Sequence, residues 1–168
     1  MEKEEKSIDL VRKKRIIFGW KPPPKDWVKC DIGFAWNKTT NESGASWILR
    51  NSDGKTLLHG RRSFVNIHNM LDASLESWLW AMESFRSLHF NSIIFTSEDK
   101  DLIAAISKPH AWSSLKFYSQ TISLHLHHFL DWQVQFVPRS VFKGAFLIAD
   151  SVIQGDRFQS YIAAGYPC

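Results

Sequence analysis

The sequence has little of what marks secreted or membrane-anchored proteins. Among its 168 residues only two are cysteines, Cys30 and Cys168, so it has neither a disulfide framework nor clustered zinc-ligand spacing. The stretch Met1–Lys6 lacks the apolar run of a signal peptide, and no later stretch has the length of a membrane span. We therefore expect an intracellular protein with no membrane partner; the sequence does not distinguish nucleus from cytoplasm.

Aromatic residues and a small positive charge dominate the composition. Eight tryptophans, twelve phenylalanines and a hydrophobic content of 44% indicate a globular protein with an aromatic-rich core. The formal net charge of +4 is compatible with a polyanionic partner, but part of it comes from the basic run Arg12–Arg15. That run fits either a nuclear address or a solvated tail. Charge alone therefore does not identify a function.

Composition divides the chain into three parts. Residues 1–25 form a basic tail that ends in Pro22–Pro24, and consecutive prolines favour an extended backbone. Residues 26–156 carry the periodic apolar patterns of a folded domain, and residues 157–168 form an aromatic C-terminal segment. We therefore expect one domain with an additional segment at either end.

Apolar periodicity predicts the order of elements in this domain. Alternating residues predict a first strand at 27–36, followed by strands at 46–50 and 55–64 in an antiparallel meander. Residues 70–88 have helical spacing, and the continuously apolar run at 93–97 predicts a central strand parallel to the first. The other predicted elements are helices at 99–107, 113–129 and 143–154 and a strand at 131–137. The order β-β-β-α-β-α-α-β-α predicts an α/β protein with a mixed five-stranded sheet and helices on its faces.

Five short motifs follow one another along the domain. They are Trp20-Lys21-Pro22-Pro23 leading to Trp27-Val28-Lys29-Cys30, then Ser46–Lys55, Trp80–Ser84, Ile93–Phe95 and Val137–Arg139. Together their order resembles the ribonuclease H-like superfamily, and most closely the plant branch related to the ribonuclease H domains of non-LTR retroelements. The resemblance implies a ribonuclease H-like fold derived from a retroelement nuclease.

The resemblance also implies a chemistry. Active members of this superfamily hydrolyse the RNA strand of an RNA–DNA hybrid with two Mg²⁺ ions, which four carboxylates hold. Hard cations this close together need several anionic oxygen ligands. The four ligand positions fall on Gly33, Ser74, Glu98 and Phe146, so three of the four carboxylates are replaced. The resemblance therefore predicts a catalytically degenerate pseudoenzyme with no cofactor, and Mg²⁺ only if hydrolysis persists.

Acidic residues near these positions permit two interpretations. Asp31 lies on the same strand face as Gly33 but one pleat earlier, roughly 6.5–7 Å along the strand. In one interpretation Asp31 and Glu98 are residual catalytic groups, and with Asp99 they form a rearranged metal site at the ends of two adjacent strands. In the other, Asp31 and Glu98 are a relic acid pair and Asp99 caps the following helix. Only the first predicts saturable binding of a divalent metal ion.

Basic residues provide a candidate nucleic-acid surface. The candidates are Lys38, Arg50, Lys55, Arg61, Arg62 and Arg139, with Trp36 or Trp47 as exposed aromatic residues beside them. An ordinary solvated sheet edge carries a similar number of cations. Three functions are therefore open: binding of RNA, DNA or their hybrid without hydrolysis, weak metal-dependent hybrid ribonuclease activity, and a protein-interaction module whose partners the sequence does not name.

Overall fold

Six strands and four α-helices make up the part of the chain that the computed structural model describes, residues 20–155 and 161–165. In chain order these are β1 (Val28–Asn37), β2 (Glu42–Arg50), β3 (Thr56–Phe64), α1 (Met70–Arg86), β4 (Ser92–Ser97), α2 (Lys100–Ser107), α3 (Lys116–Leu126), β5 (Asp131–Phe136), α4 (Gly144–Gln154) and β6 (Tyr161–Ala164). Two short 3₁₀ turns, Pro109–Ala111 and Ser113–Leu115, connect α2 to α3. No helix in the described ranges is long and apolar enough to span a membrane.

The strands form one mixed sheet in the order β5-β4-β1-β2-β3-β6. β1 is antiparallel to β2 and parallel to β4, which confirms the prediction that β4 is an interior strand parallel to the first. The predicted number of five strands is wrong, because β6 pairs antiparallel with β3 and places Ala163 opposite His59. With only four residues, β6 is too short to show a periodicity in the sequence.

One face of the sheet packs against α1 and holds the aromatic core. Trp78 and Phe85 of α1 are fully buried, as the helical spacing of their segment predicts. Phe85 meets the ring of Trp47 on β2 edge-on, with 4.6 Å between ring centroids. The expectation that Trp47 is an exposed aromatic residue is therefore wrong: it points from β2 into the core beneath α1.

The opposite face packs against α4, and small residues let that helix approach the sheet closely. Gly33 on β1 and Gly44 on β2 lie directly beneath it, and a Cβ atom added to Gly44 would lie 2.9 Å from the main-chain carbon of Ala149. Ala145 and Ala149 are the buried residues of α4 that face these glycines. Because β1 is covered on both faces, its residues 29–35 are all buried.

Candidate functional site

Three of the four predicted ligand positions, Gly33, Glu98 and Phe146, meet where β1 and β4 lie side by side beneath the start of α4. Asp31 and Gly33 come from β1, and Glu98 follows β4 directly. Together with Thr96 and Phe146 they line a cavity of about 20 Å³. That volume holds about one water molecule. The space between these predicted ligand positions is therefore nearly filled.

Gly33 shows why the space is filled. A Cβ atom added at this position would lie 2.7 Å from the main-chain nitrogen of Phe146 and closer still to the carbonyl group of Ala145. Real Cβ atoms essentially never approach main-chain atoms so closely. A carboxylate at position 33 is therefore incompatible with the present position of α4.

Asp31 is buried, with 2% of its surface exposed, and protein donors use both of its carboxylate oxygens. Thr96 Oγ1 donates to Oδ1 at 2.5 Å and Trp20 Nε1 donates to Oδ2 at 2.9 Å, while Arg50 Nη1 lies 4.0 Å from Oδ2. Burial raises the pKa of Asp31, and the two hydrogen bonds together with the charges of Lys29 and Arg50 act in the opposite direction. Both carboxylate oxygens of Asp31 are thus hydrogen-bonded to other side chains of the protein.

Lys29 is the second buried charge of this region, with 4% of its surface exposed. Its Nζ donates to the main-chain oxygen of Lys21 at 2.9 Å. Burial lowers the pKa of Lys29, and the neighbouring carboxylate of Asp31 acts against that effect. Both residues face away from the aromatic core, on the side of the sheet that α4 covers.

Glu98 is neutralised by a guanidinium group instead of a metal ion. Arg139 Nη2 donates to Glu98 Oε1 at 2.7 Å, and Arg139 Nε donates to Oε2 in the same bidentate pair. The guanidinium carbon of Arg139 lies 3.4 Å from the ring centroid of Phe146. Phe146, at the predicted fourth ligand position, therefore packs against the arginine that is paired with Glu98.

The other acidic and polar candidates have separate contacts. Asp99 caps α2, because its Oδ1 accepts a hydrogen bond from the main-chain N–H of Leu102 at 3.2 Å. Ser74 is fully buried on α1, and its hydroxyl has no hydrogen-bond partner among the described residues. Ser74 is not among the residues that line the small cavity.

These residues do not fit a pair of Mg²⁺ ions. Two ions about 4 Å apart need several free carboxylate oxygens. Here Asp31 and Glu98 are occupied by protein donors, and the space at Gly33 is filled by main chain. Within the described ranges no three histidine, cysteine, aspartate or glutamate side chains are grouped to hold a metal ion.

The six candidate nucleic-acid residues do not form one patch. Lys38 lies in the β1–β2 turn and Lys55 in the β2–β3 turn, at opposite ends of β2 and so roughly 25–30 Å apart. Arg50 is mostly buried beside Asp31, and Arg139 is paired with Glu98. The remaining two arginines stack on neighbouring rings: Arg61 on Tyr161 and Arg62 on Phe64.

A second set of basic residues was missed in the sequence. Lys108, His110 and Lys116 are exposed on and beside the two 3₁₀ turns, with Trp112 between them. Basic residues interleaved with an aromatic residue were the available signal. The predicted helix at 113–129 concealed it, because α3 begins only at Lys116 and the preceding residues form a connection.

A comparison with known protein families agrees with this fold. A family model described as "Reverse transcriptase-like" matches residues 30–152, which include most of β1, all of β2 to β5 and most of α4. The chain belongs to the Reverse transcriptase-like family. No curated protein sequence matches it.

Solved structures similar to this Reverse transcriptase-like chain include several ribonucleases H. RNase H1 from the halophilic archaeon Halobacterium salinarum NRC-1 is 19% identical, with a TM-score of 0.67 over 77% of this chain and 98% of that one. The N-terminal RNase H domain of a Mycobacterium tuberculosis protein is 13% identical, with a TM-score of 0.61 over 77% and 94%. LC11-RNase H1, from a compost metagenome, solved with an RNA/DNA hybrid, is 12% identical, with a TM-score of 0.65 over 77% and 98%. At these identities the likeness establishes a ribonuclease H-like fold.

Proposed function

We propose that this chain is a nucleic-acid-binding ribonuclease H-like domain that has lost two-metal hydrolysis. The observation that carries the proposal is the main chain of Ala145 in the space where a side chain at Gly33 would be. The motif order of the sequence supports an origin in the plant, retroelement-related branch of the superfamily.

Loss of hydrolysis follows from the chemistry of the remaining carboxylates. A two-metal nuclease uses its ions to activate water and to stabilise the leaving oxygen. Asp31 offers neither oxygen freely, since Thr96 and Trp20 donate to them, and Glu98 is held by Arg139. A metal ion would have to displace these donors and also move α4.

Nucleic-acid binding is supported by the fold and by exposed cations. A similar structure, LC11-RNase H1, is solved in complex with an RNA/DNA hybrid. In this chain Lys108, His110 and Lys116 are exposed on either side of the partly buried Trp112 in the sequence, a combination suited to phosphate contacts beside a stacking surface. The formal net charge of +4 favours a polyanion as well.

Cleavage and binding are tested separately on the full chain. A labelled RNA–DNA hybrid incubated with Mg²⁺ or Mn²⁺ should stay intact, as it should with the Asp31→Asn and Glu98→Gln variants. Turnover that Asp31→Asn or Glu98→Gln abolishes would establish instead the weak metal-dependent nuclease, since both residues line the same cavity. Saturable Mn²⁺ binding lost in those variants would favour it too.

Fluorescence anisotropy with labelled RNA, DNA and hybrid gives the second measurement. We expect binding that weakens steeply as salt rises, because phosphate contacts release counterions. Absence of binding to all three at low salt would contradict the nucleic-acid assignment. The protein-interaction module would then be the better description of this scaffold.

A further inference from the structure

Trp20 fastens the segment that precedes β1 to the sheet. Its indole Nε1 donates to Asp31 Oδ2 at 2.9 Å. Lys29 Nζ lies 5.2 Å and the guanidinium carbon of Arg50 lies 4.8 Å from its ring centroid. Lys29 also binds Lys21, the residue after Trp20, because its Nζ donates a hydrogen bond to the main-chain oxygen of Lys21. Four contacts thus anchor two consecutive residues of the segment.

Arg50 connects this anchor to the other side of the site. Its guanidinium carbon lies 4.8 Å from the ring centroid of Phe142 as well as from that of Trp20. The group is held in place by Asp31, 4.0 Å from Nη1, and by Thr56 Oγ1, 3.4 Å from Nε. A single rigid planar cation therefore contacts one ring from the N-terminal segment and one from the approach to α4.

Phe142 in turn lies against the first turn of α4. A Cβ atom added to Gly144, the first residue of α4, would lie 2.7 Å from Cζ of Phe142. The next residue, Ala145, supplies the main chain that fills the space over Gly33. The contacts from Trp20 therefore lead without interruption to the turn that closes the cavity.

We propose that Trp20, Arg50 and Phe142 form a clamp through which the N-terminal segment sets the position of α4 over Gly33. Removing Trp20 takes a ring from Arg50 and leaves Asp31 Oδ2 without its 2.9 Å donor, so both charges lose support inside the fold. Arg50 then gains freedom and Phe142 loses a fixed neighbour. A partner that draws Trp20 away would loosen α4 in the same way, and this device does not depend on nucleic-acid binding.

Backbone hydrogen exchange on the full chain tests the clamp. In Trp20→Ala we expect amides 146–149 at the start of α4 to exchange about tenfold or more faster, with little change in the middle of α1. A matched control is Trp36→Ala, which removes another partly buried tryptophan, one that donates to Ile67 and packs against the separate cluster of Phe34, Ile67 and Ala73. Equal acceleration in α1 and α4, or none in α4, would overturn the proposal.

A second variant tests the clamp from its other end. Gly144→Ala displaces the Phe142 ring without touching Trp20, and coupling must be reciprocal. We expect the indole N–H resonance of Trp20, identified by its loss in Trp20→Phe, to shift in Gly144→Ala and to exchange faster with water. The effects of Trp20→Ala and Phe142→Ala on the unfolding equilibrium should also be non-additive by about fivefold or more. An unshifted resonance together with additive effects would exclude the clamp.

Discussion

The hydroxyl of Ser46 donates a hydrogen bond to the main-chain oxygen of Ala145, the carbonyl group that also stands over Gly33. Gly33 and Ser46 are paired across β1 and β2, so α4 rests on both strands at the same level of the sheet. Gly33 on β1 has no side chain and leaves room for α4, whereas Ser46 on β2 donates a hydrogen bond to it. This arrangement makes the fit of α4 incompatible with a metal ligand at position 33.

Substitution at Gly33 should therefore be costly. We expect Gly33→Ala to lower the free energy of unfolding by about 1–3 kcal/mol, because the new methyl group forces main-chain atoms of α4 to move. Gly33→Asp should cost more, since it also buries a charge, and should not restore hydrolysis. Urea unfolding measures both. The control Ser46→Ala removes one hydrogen bond and should cost about 1 kcal/mol; a Gly33→Ala protein as stable as the unsubstituted chain would show that α4 is not held in place.

Asp31 should make stability depend on pH. Its pKa is raised by burial above the ordinary 3.8, so the folded state holds this proton more tightly than the unfolded state. The stabilisation is complete below the ordinary pKa and is lost as the pH rises through the folded-state pKa. Asp31→Asn should therefore gain stability relative to the unsubstituted chain as pH increases above about 4, in urea unfolding at a series of pH values.

Substitution of Thr96 changes the pKa of the Asp31 carboxylate without removing the carboxylate. Its hydrogen bond lowers the pKa of Asp31, so Thr96→Val should raise that pKa further and extend the pH-dependent loss of stability to higher pH. If Asp31→Asn and Thr96→Val both leave the pH profile of the unfolding free energy unchanged, the carboxylate does not titrate with folding as described.

Tyr118 ties α3 to the first turn of α1. Its hydroxyl donates to Asp72 Oδ1 at 2.6 Å, and this bond raises the pKa of Tyr118 to about 12. Tyr118→Phe should cost about 1 kcal/mol at neutral pH. Because the folded-state pKa is raised, the bond stabilises the fold fully below the ordinary pKa of 10 and is lost as the pH passes 12. The cost of Tyr118→Phe should accordingly shrink in alkali, and absorbance titration should show a step near pH 12 that the variant lacks.

Most of the fold was predictable because its elements have clear periods. Apolar residues alternate along β1, recur at helical spacing in α1 and form a continuous run in β4. In each element most of these apolar residues are buried, as expected. Trp47 was misassigned because period-two alternation does not reveal that α1 covers one face of β2 and α4 the other. β6 could not be predicted from periodicity, because it has only four residues.

Gly33, Glu98 and Phe146 line one cavity, but the contacts of these positions could not be predicted from the sequence. The resemblance to the ribonuclease H-like superfamily predicts Gly33 and Phe146 as replaced ligand positions, and that assignment stays a prediction. The pairing of Arg139 with Glu98 joins residues 41 positions apart, and that of Trp20 with Asp31 joins residues from different segments. Only the folded chain brings such groups together, so sequence spacing left both acids free for metal.

The location of nucleic-acid binding is the last expectation. Lys108 and Lys116 flank the 3₁₀ turns beside Trp112, whereas Lys38 and Lys55 lie at opposite ends of β2 and cannot contact the same short stretch of nucleic-acid backbone. Lys108→Ala/Lys116→Ala should therefore weaken binding of an RNA–DNA hybrid and reduce the slope of log K against log salt by about 1–2, since each lost phosphate contact contributes roughly 0.9. Lys38→Ala/Lys55→Ala removes the same charge and is the matched control. A localised contact depends on where the charges lie, whereas an effect of net charge does not. If both double variants reduce the affinity and the salt slope equally, net charge governs binding and the 3₁₀ turns do not form the contact.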